Sequence, residues 1–178
     1  MDAITSKKFG ISTVATIAMI TVALMFASWR AEAVVSAISF APAVGGTDDV
    51  AGAAAADYNI TFTAANATAT GIDVTFPAGF TIAAPGAAGI TSTGCTTPAT
   101  SEVCIGGGVG NTAITGATIV GQVISIAFGG ATDLSAGTVT FTITTGVTNP
   151  TTAGAKAAAG FTVATTGGGA EGAVAAGA

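Results

Sequence analysis

From Val34 to Ala178 the chain has no histidine, arginine, tryptophan or methionine, and a single lysine, Lys156. Acid–base catalysis, nucleophile activation and the clamping of anionic intermediates draw mainly on His, Lys, Arg and matched carboxylates. Without histidine no Ser–His or Cys–His pair can form. An enzyme is therefore not expected, and no cofactor or metal is expected either. Aromatic platforms for a sugar are equally scarce: Tyr58 is the one phenol, and its place in an alternating run predicts that it points inward.

Positive charge is missing as well. Asp48, Asp49, Asp57, Asp73, Glu102, Asp133 and Glu171 face Lys156 alone in this stretch. Neutralising a phosphate backbone takes a basic patch, so a nucleic-acid partner is excluded, and so is docking to anionic lipid. The five aspartates offer oxygen ligands of the kind calcium takes. None of the regular calcium-loop spacings is present, and solvated loop acids are the simpler reading. The run Gly106-Gly107-Gly108-Val109-Gly110 is followed by no lysine and reads as a hairpin rather than a phosphate loop.

The first part of the chain is of another kind. Lys7 and Lys8 precede an uncharged, mostly apolar run from Phe9 to Ala27, and Ala31 and Ala33 form an A-x-A cleavage pattern. This predicts a secretory signal helix over residues 1–33, cut between Ala33 and Val34. Two alternatives stand beside it. The apolar run is long enough, at about 28 Å as a helix, to stay as a membrane anchor with Trp29 and Arg30 at the interface. Alternatively, Lys7-Lys8-Phe9-Gly10 followed by Ile11 to Thr16 resembles an archaeal type IV prepilin, which implies cleavage after Gly10 and a retained helix. All three place the remainder outside the cytoplasm. Membrane contact is then expected only through the N-terminal segment before processing.

Cys95 and Cys104 are the only cysteines. An isolated pair in an exported chain is most simply a disulfide, and two thiolates without further ligands cannot complete a tetrahedral metal site.

Beyond Ala33 the dominant signal is period-two alternation of β-branched and aromatic residues. It runs through Val34 to Ala41, Asp57 to Thr63, Ile72 to Phe76, Phe80 to Ile82, Gln122 to Phe128, Thr138 to Thr144, and Phe161 to Val163. Weaker runs lie at Thr112 to Ile114 and Thr118 to Val120. Between them stand Asn66, Gly71, Pro85-Gly86, Gly129-Gly130, Asn149-Pro150 and Gly154, which are turn residues. The expected fold is all-β, an antiparallel β-sandwich, Ig-like or jelly-roll-like, of roughly seven to nine strands. Its divisions are residues 34–56, an N-terminal strand and linker; 57–166, the sandwich; and 167–178, a flexible Gly/Ala tail.

Two stretches carry a resemblance. Ile72-Asp73-Val74-Thr75-Phe76-Pro77-Ala78-Gly79-Phe80, and Gly146 to Gly154 followed by Phe161-Thr162-Val163, resemble segments of secreted prokaryotic β-sandwich surface proteins, including subunits of extracellular filaments and pili. The resemblance implies an extracellular or cell-surface location and a structural, adhesive or surface-layer role.

The segment Val34, Val35, Ser36, Ala37, Ile38, Ser39 and Phe40 suits donation to a neighbour. It is a β-capable strand ahead of a small-residue loop from Ala43 to Ala56, which is long for a compact domain. Strand addition uses main-chain pairing for affinity and alternate side chains for register. Alternation would put Ser36, Ile38 and Phe40 on one face and Val35, Ala37 and Ser39 on the other. The receiving groove is expected near Thr138 to Thr144. An ordinary first strand of its own domain is the competing reading.

The expected partner is thus another copy of this chain, in a filament or pilus assembled head to tail. A monomeric adhesin or carbohydrate-binding module, a type IV pilin-like subunit and a membrane-anchored surface-layer protein are the alternatives. Asn59-Ile60-Thr61 and Asn66-Ala67-Thr68 are N-x-T sequons, and alternation predicts an exposed Asn59.

Overall fold

The computed structural model describes residues 34–43, 50–65, 69–105, 108, 110–129, 134, 136–152, 160–167, 172 and 174–175. The signal-helix and cleavage readings over residues 1–33, the sequon at Asn66, and Asp48, Asp49, Asp133, Lys156 and Glu171 lie outside them.

The described chain is all-β and antiparallel. Twelve strands follow one another: β1 (Ser36–Pro42), β2 (Tyr58–Ala64), β3 (Gly71–Thr75), β4 (Thr81–Ile82), β5 (Ile90–Thr91), β6 (Glu102–Ile105), β7 (Gly110–Val120), β8 (Val123–Phe128), β9 (Gly137–Ile143), β10 (Val147–Thr148), β11 (Thr162–Thr166) and β12 (Val174–Ala175). A short 3₁₀ turn, Ala87–Gly89, precedes β5. Nine strands form one continuous path, β1-β2-β9-β6-β7-β8-β3-β11-β12, with β5 added beside β9, while β10 and β4 form a separate pair.

Alternation builds the interior as the sequence suggests. On β2, Tyr58, Ile60, Phe62 and Ala64 are buried while Asn59, Thr61 and Thr63 are half-buried on the outer face. Residues Ile72 and Val74 of β3, Ile124, Ile126 and Phe128 of β8, Val139 and Phe141 of β9, and Val163 of β11 complete the core. Burying each large side chain contributes roughly 1.5–3 kcal/mol.

The two weak runs at Thr112–Ile114 and Thr118–Val120 prove to be a single strand, β7. It pairs with β6 up to Ala113 and with β8 from Ile114 on, and a bulge between Ile114 and Gly116 interrupts the pairing with β8. A bulge adds one residue to one strand and shifts the phase of the alternation. Thr112 and Ile114 point inward before it and Ala117 after it, so no single period-two pattern spans the strand. β6 and β7 form the expected hairpin pair, with Ile105 paired to Gly110.

The path closes on itself in a particular way. Every step along it is antiparallel. Strand direction therefore alternates, and an odd number of strands leaves the first and last running the same way. The two ends do meet, and in that sense: Val34, just before β1, forms a parallel bridge with Gly172, just before β12. The result is a nearly closed sheet with one parallel seam. Gly172 and β12, within the stretch expected as a Gly/Ala tail, supply one side of it.

Candidate functional site: the first strand and its seat

β1 lies against β2 in the register Ser39↔Thr61, Phe40↔Ile60, Ala41↔Asn59 and Pro42↔Tyr58. Between Ser36 and Ser39 the register shifts. The cause is local: Ala37 sits at φ 50, in the left-handed region, a conformation that forms a bulge. The bulge re-aims the side chains. Val35 is fully buried, Ile38 and Phe40 pack on the core, and Ser36, Ala37, Ser39 and Ala41 are exposed. The expected grouping of Ser36 with Ile38 and Phe40, and of Val35 with Ala37 and Ser39, is thus corrected. The inward residues are Val35, Ile38 and Phe40, spaced by three and then by two.

These side chains fill an aromatic end of the core. Phe40 meets Phe161 at 5.0 Å and Phe76 at 5.9 Å between ring centroids. Tyr58, Phe76, Phe80 and Phe161 complete the group, with edge-on or tilted contacts between 5.4 and 6.4 Å. Such pairs add about 0.5–1.5 kcal/mol each beyond their area. The Tyr58 hydroxyl donates to Asn149 Oδ1 at 2.7 Å in the interior, so the one phenol presents no face to a sugar. Asn149 Nδ2 donates to the Val50 carbonyl at 2.9 Å, and backbone bonds tie Gly52 to Pro150, Ala56 to Val147, and Asn149 to Ala53. The second half of the connection from β1 to β2 is therefore fixed to the body.

β1 is held less completely than its neighbour. Every inward side chain of β2 is buried, whereas Ile38, Phe40 and Pro42 are only half-buried. Among the described residues, the Val34–Gly172 bridge is the one pairing along the edge of β1 opposite β2. Pro42, without an N–H, and the bulge at Ala37 are both features by which edge strands discourage casual pairing.

The groove expected near Thr138 to Thr144 is not found there. β9 has β2 on one side and β6 and β5 on the other. Its outer face is covered by the loop that carries Cys95, because Gly94 lies against Thr140 and Thr142 Oγ1 donates to Thr93 Oγ1 at 3.0 Å. The seat of β1 is instead the slot between β2 and the last strands. This was not readable from alternation, since pairing order is a long-range property.

Asn59 is half-buried rather than exposed, and its Oδ1 accepts a bond from Thr142 Oγ1. Cys95 and Cys104 are joined as a disulfide, with Cα atoms 5.5 Å apart. It ties the covering loop to β6. Asn111 Nδ2 adds a bond to the Thr97 carbonyl at 3.0 Å. Among the described residues no three His, Cys, Asp or Glu side chains gather as a metal site would require.

Comparison with protein-family models, with curated proteins and with solved structures finds no match.

Proposed function

We propose that this chain is a structural subunit of an extracellular filament or pilus, built by β-strand addition, in which β1 of one copy completes the sheet of another. The observation that carries this reading is the unequal seating of β1. It supplies a buried anchor, Val35, and one ring of the aromatic group. Yet it stands at the margin of the sheet with half-exposed inward side chains and a long connection behind it. A domain stripped of β1 would expose Phe161, Phe76 and Tyr58, which favours refilling the slot with an equivalent strand. Low charge and a short-range disulfide suit a durable surface polymer. An Ig-like or jelly-roll-like sandwich preceded by a cleaved signal helix is the finer architecture we favour, and the alternating threonine-rich outer faces and the A-x-A pattern support it.

The test is electron microscopy of material sheared from cells, together with the mass of the mature protein. Filaments of a chain starting at Val34 are expected, and they should vanish when Val34–Phe40 is deleted. The milder double change Ile38→Asp, Phe40→Asp should also abolish them. Filaments that persist in both variants sink the reading. A mature start at Ile11 would point instead to a helix-cored pilin.

A further inference from the structure

The seat of β1 specifies strand direction as well as strand identity, and with it how two copies lie. The inward side chains of this segment are unevenly spaced, Val35 to Ile38 by three and Ile38 to Phe40 by two, because of the bulge at Ala37. A strand entering in the opposite sense would meet the sockets in the order two, then three. Phe40 would then leave the aromatic end, where Phe161 and Phe76 receive it, and a β-branched residue would stand there instead. The ladder alone does not make this choice. With β2 on one side and β12 on the other running in opposite directions, any strand in the slot has one antiparallel and one parallel neighbour. The side chains decide.

Direction then fixes the arrangement. Pro42 and Tyr58 are register partners, so β1 ends where β2 begins, at the aromatic end of the sheet. Residues 50–57 are bonded to the body there. The chain from Ala43 to Val50 reaches at most roughly 25 Å. The strands of the sheet span about 20 Å from end to end, given some 3.4 Å per residue over β2. A head-to-tail stack, with the aromatic end of one copy against the far end of the next and β1 in its native sense, would need the chain to cross that distance and also clear the loops at both ends. A neighbour beside the first, with its aromatic end on the same flank, is within reach. Among the described residues, three of the four exposed large apolar side chains stand at that end too, and the fourth, Val34, lies at the opposite end of β1. Val120 is 76 % exposed, Ile119 36 % and Val50 50 %. Val120 precedes the turn that continues into Gln122, whose carbonyl accepts from the Phe76 amide, and Val50 is bonded to Asn149 beside Tyr58.

We infer that an exchanged β1 enters the second copy antiparallel to that copy's β2, in its native register, and that the copies stand side by side with their aromatic ends on one flank rather than stacked head to tail. This rests on the strand-addition reading above and adds direction and geometry to it.

Cysteine pairing tests it, since both native cysteines are already joined. A chain carrying Ala41→Cys is mixed, through unfolding and refolding, with chains carrying Asn59→Cys, Thr61→Cys or Thr63→Cys, and interchain disulfides are counted. Native direction gives the Ala41–Asn59 link as the dominant product, because those residues are register partners. A reversed strand pivoting at Ser39 gives the link at position 63, which would overturn the inference while leaving strand exchange intact. No interchain link with any of the three overturns both. A discrete linked pair at position 59 that never grows longer by light scattering keeps the inference and sinks the filament. Every single-site variant lies on the outer face, where a cysteine is accommodated, and circular dichroism confirms that each refolds.

Discussion

Phe40 and Phe161 meet across the slot that joins the two margins of the sheet, 5.0 Å apart and inclined at 37°. One ring comes from the first strand and the other from the residue just before β11, so the contact joins the first strand to the entry of the last but one. Phe40→Ala should lower stability by about 1.5–3 kcal/mol, less than for a fully buried ring because Phe40 is half-buried. Chemical denaturation of the purified chain measures it. Phe62→Ala, at a fully buried site on β2, should cost about 3–5 kcal/mol. Equal losses would mean that β1 is seated as firmly as β2.

The bond from Tyr58 to Asn149 spans 91 positions and is buried. Tyr58→Phe keeps the ring contacts and removes this bond, for an expected loss of about 1–2 kcal/mol. Asn149→Ala also removes the anchor on the Val50 carbonyl and should cost more, roughly 2–3 kcal/mol. It should also speed hydrogen exchange at the amides of Gly52 and Ala53 well beyond what Tyr58→Phe does. Unchanged exchange there would show that Asn149 does not fix the connection.

Opening the Cys95–Cys104 disulfide should lower stability by about 2–3 kcal/mol, as loop-closure entropy gives for so short a loop. The double change Cys95→Ser, Cys104→Ser should reproduce the effect of a reducing agent on the parent, and be itself insensitive to that agent. Because β2 and β9 stand between β1 and the disulfide-bearing β6 in the sheet, strand exchange should proceed in both forms.

Two glycines make a matched pair. Gly146 has φ +86, and an added Cβ would run into the carbonyl of Ala83, the residue whose amide bonds to Gly146. Gly121, at φ +62, has open space around the same position. Gly121→Ala should cost about 1 kcal/mol for the left-handed backbone alone. Gly146→Ala should cost at least ~2–3 kcal/mol, since steric displacement adds to backbone strain. Thermal melts of the two variants side by side decide it.

Much of the sheet was legible in the sequence because its inward and outward faces differ so plainly. Runs such as Asn59 to Thr63 and Thr138 to Thr144 carry their burial in their alternation, and Phe76-Pro77 marks the end of a strand as clearly as any cap. What stayed hidden was of two kinds. Bulges at Ala37 and Gly116 break the phase without any proline or charge to announce them, so alternation groups Val35 with Ala37 and Ser39 and splits β7 in two. Partner choice depends on residues far apart along the chain. Nothing near Thr140 announces that the loop at Gly94 covers it, and nothing near Val34 names Gly172.

The parallel seam at Val34 and Gly172 has an origin that no side chain controls. It follows from counting, since an alternating path of nine strands must end as it began. Point substitutions can tighten or loosen that join, but they cannot reverse its sense. Insertion of a hairpin adds two strands at once and leaves the parity as it was. Only the gain or loss of one whole strand would let the sheet close antiparallel throughout, so the seam would persist through substitution and through growth by hairpins.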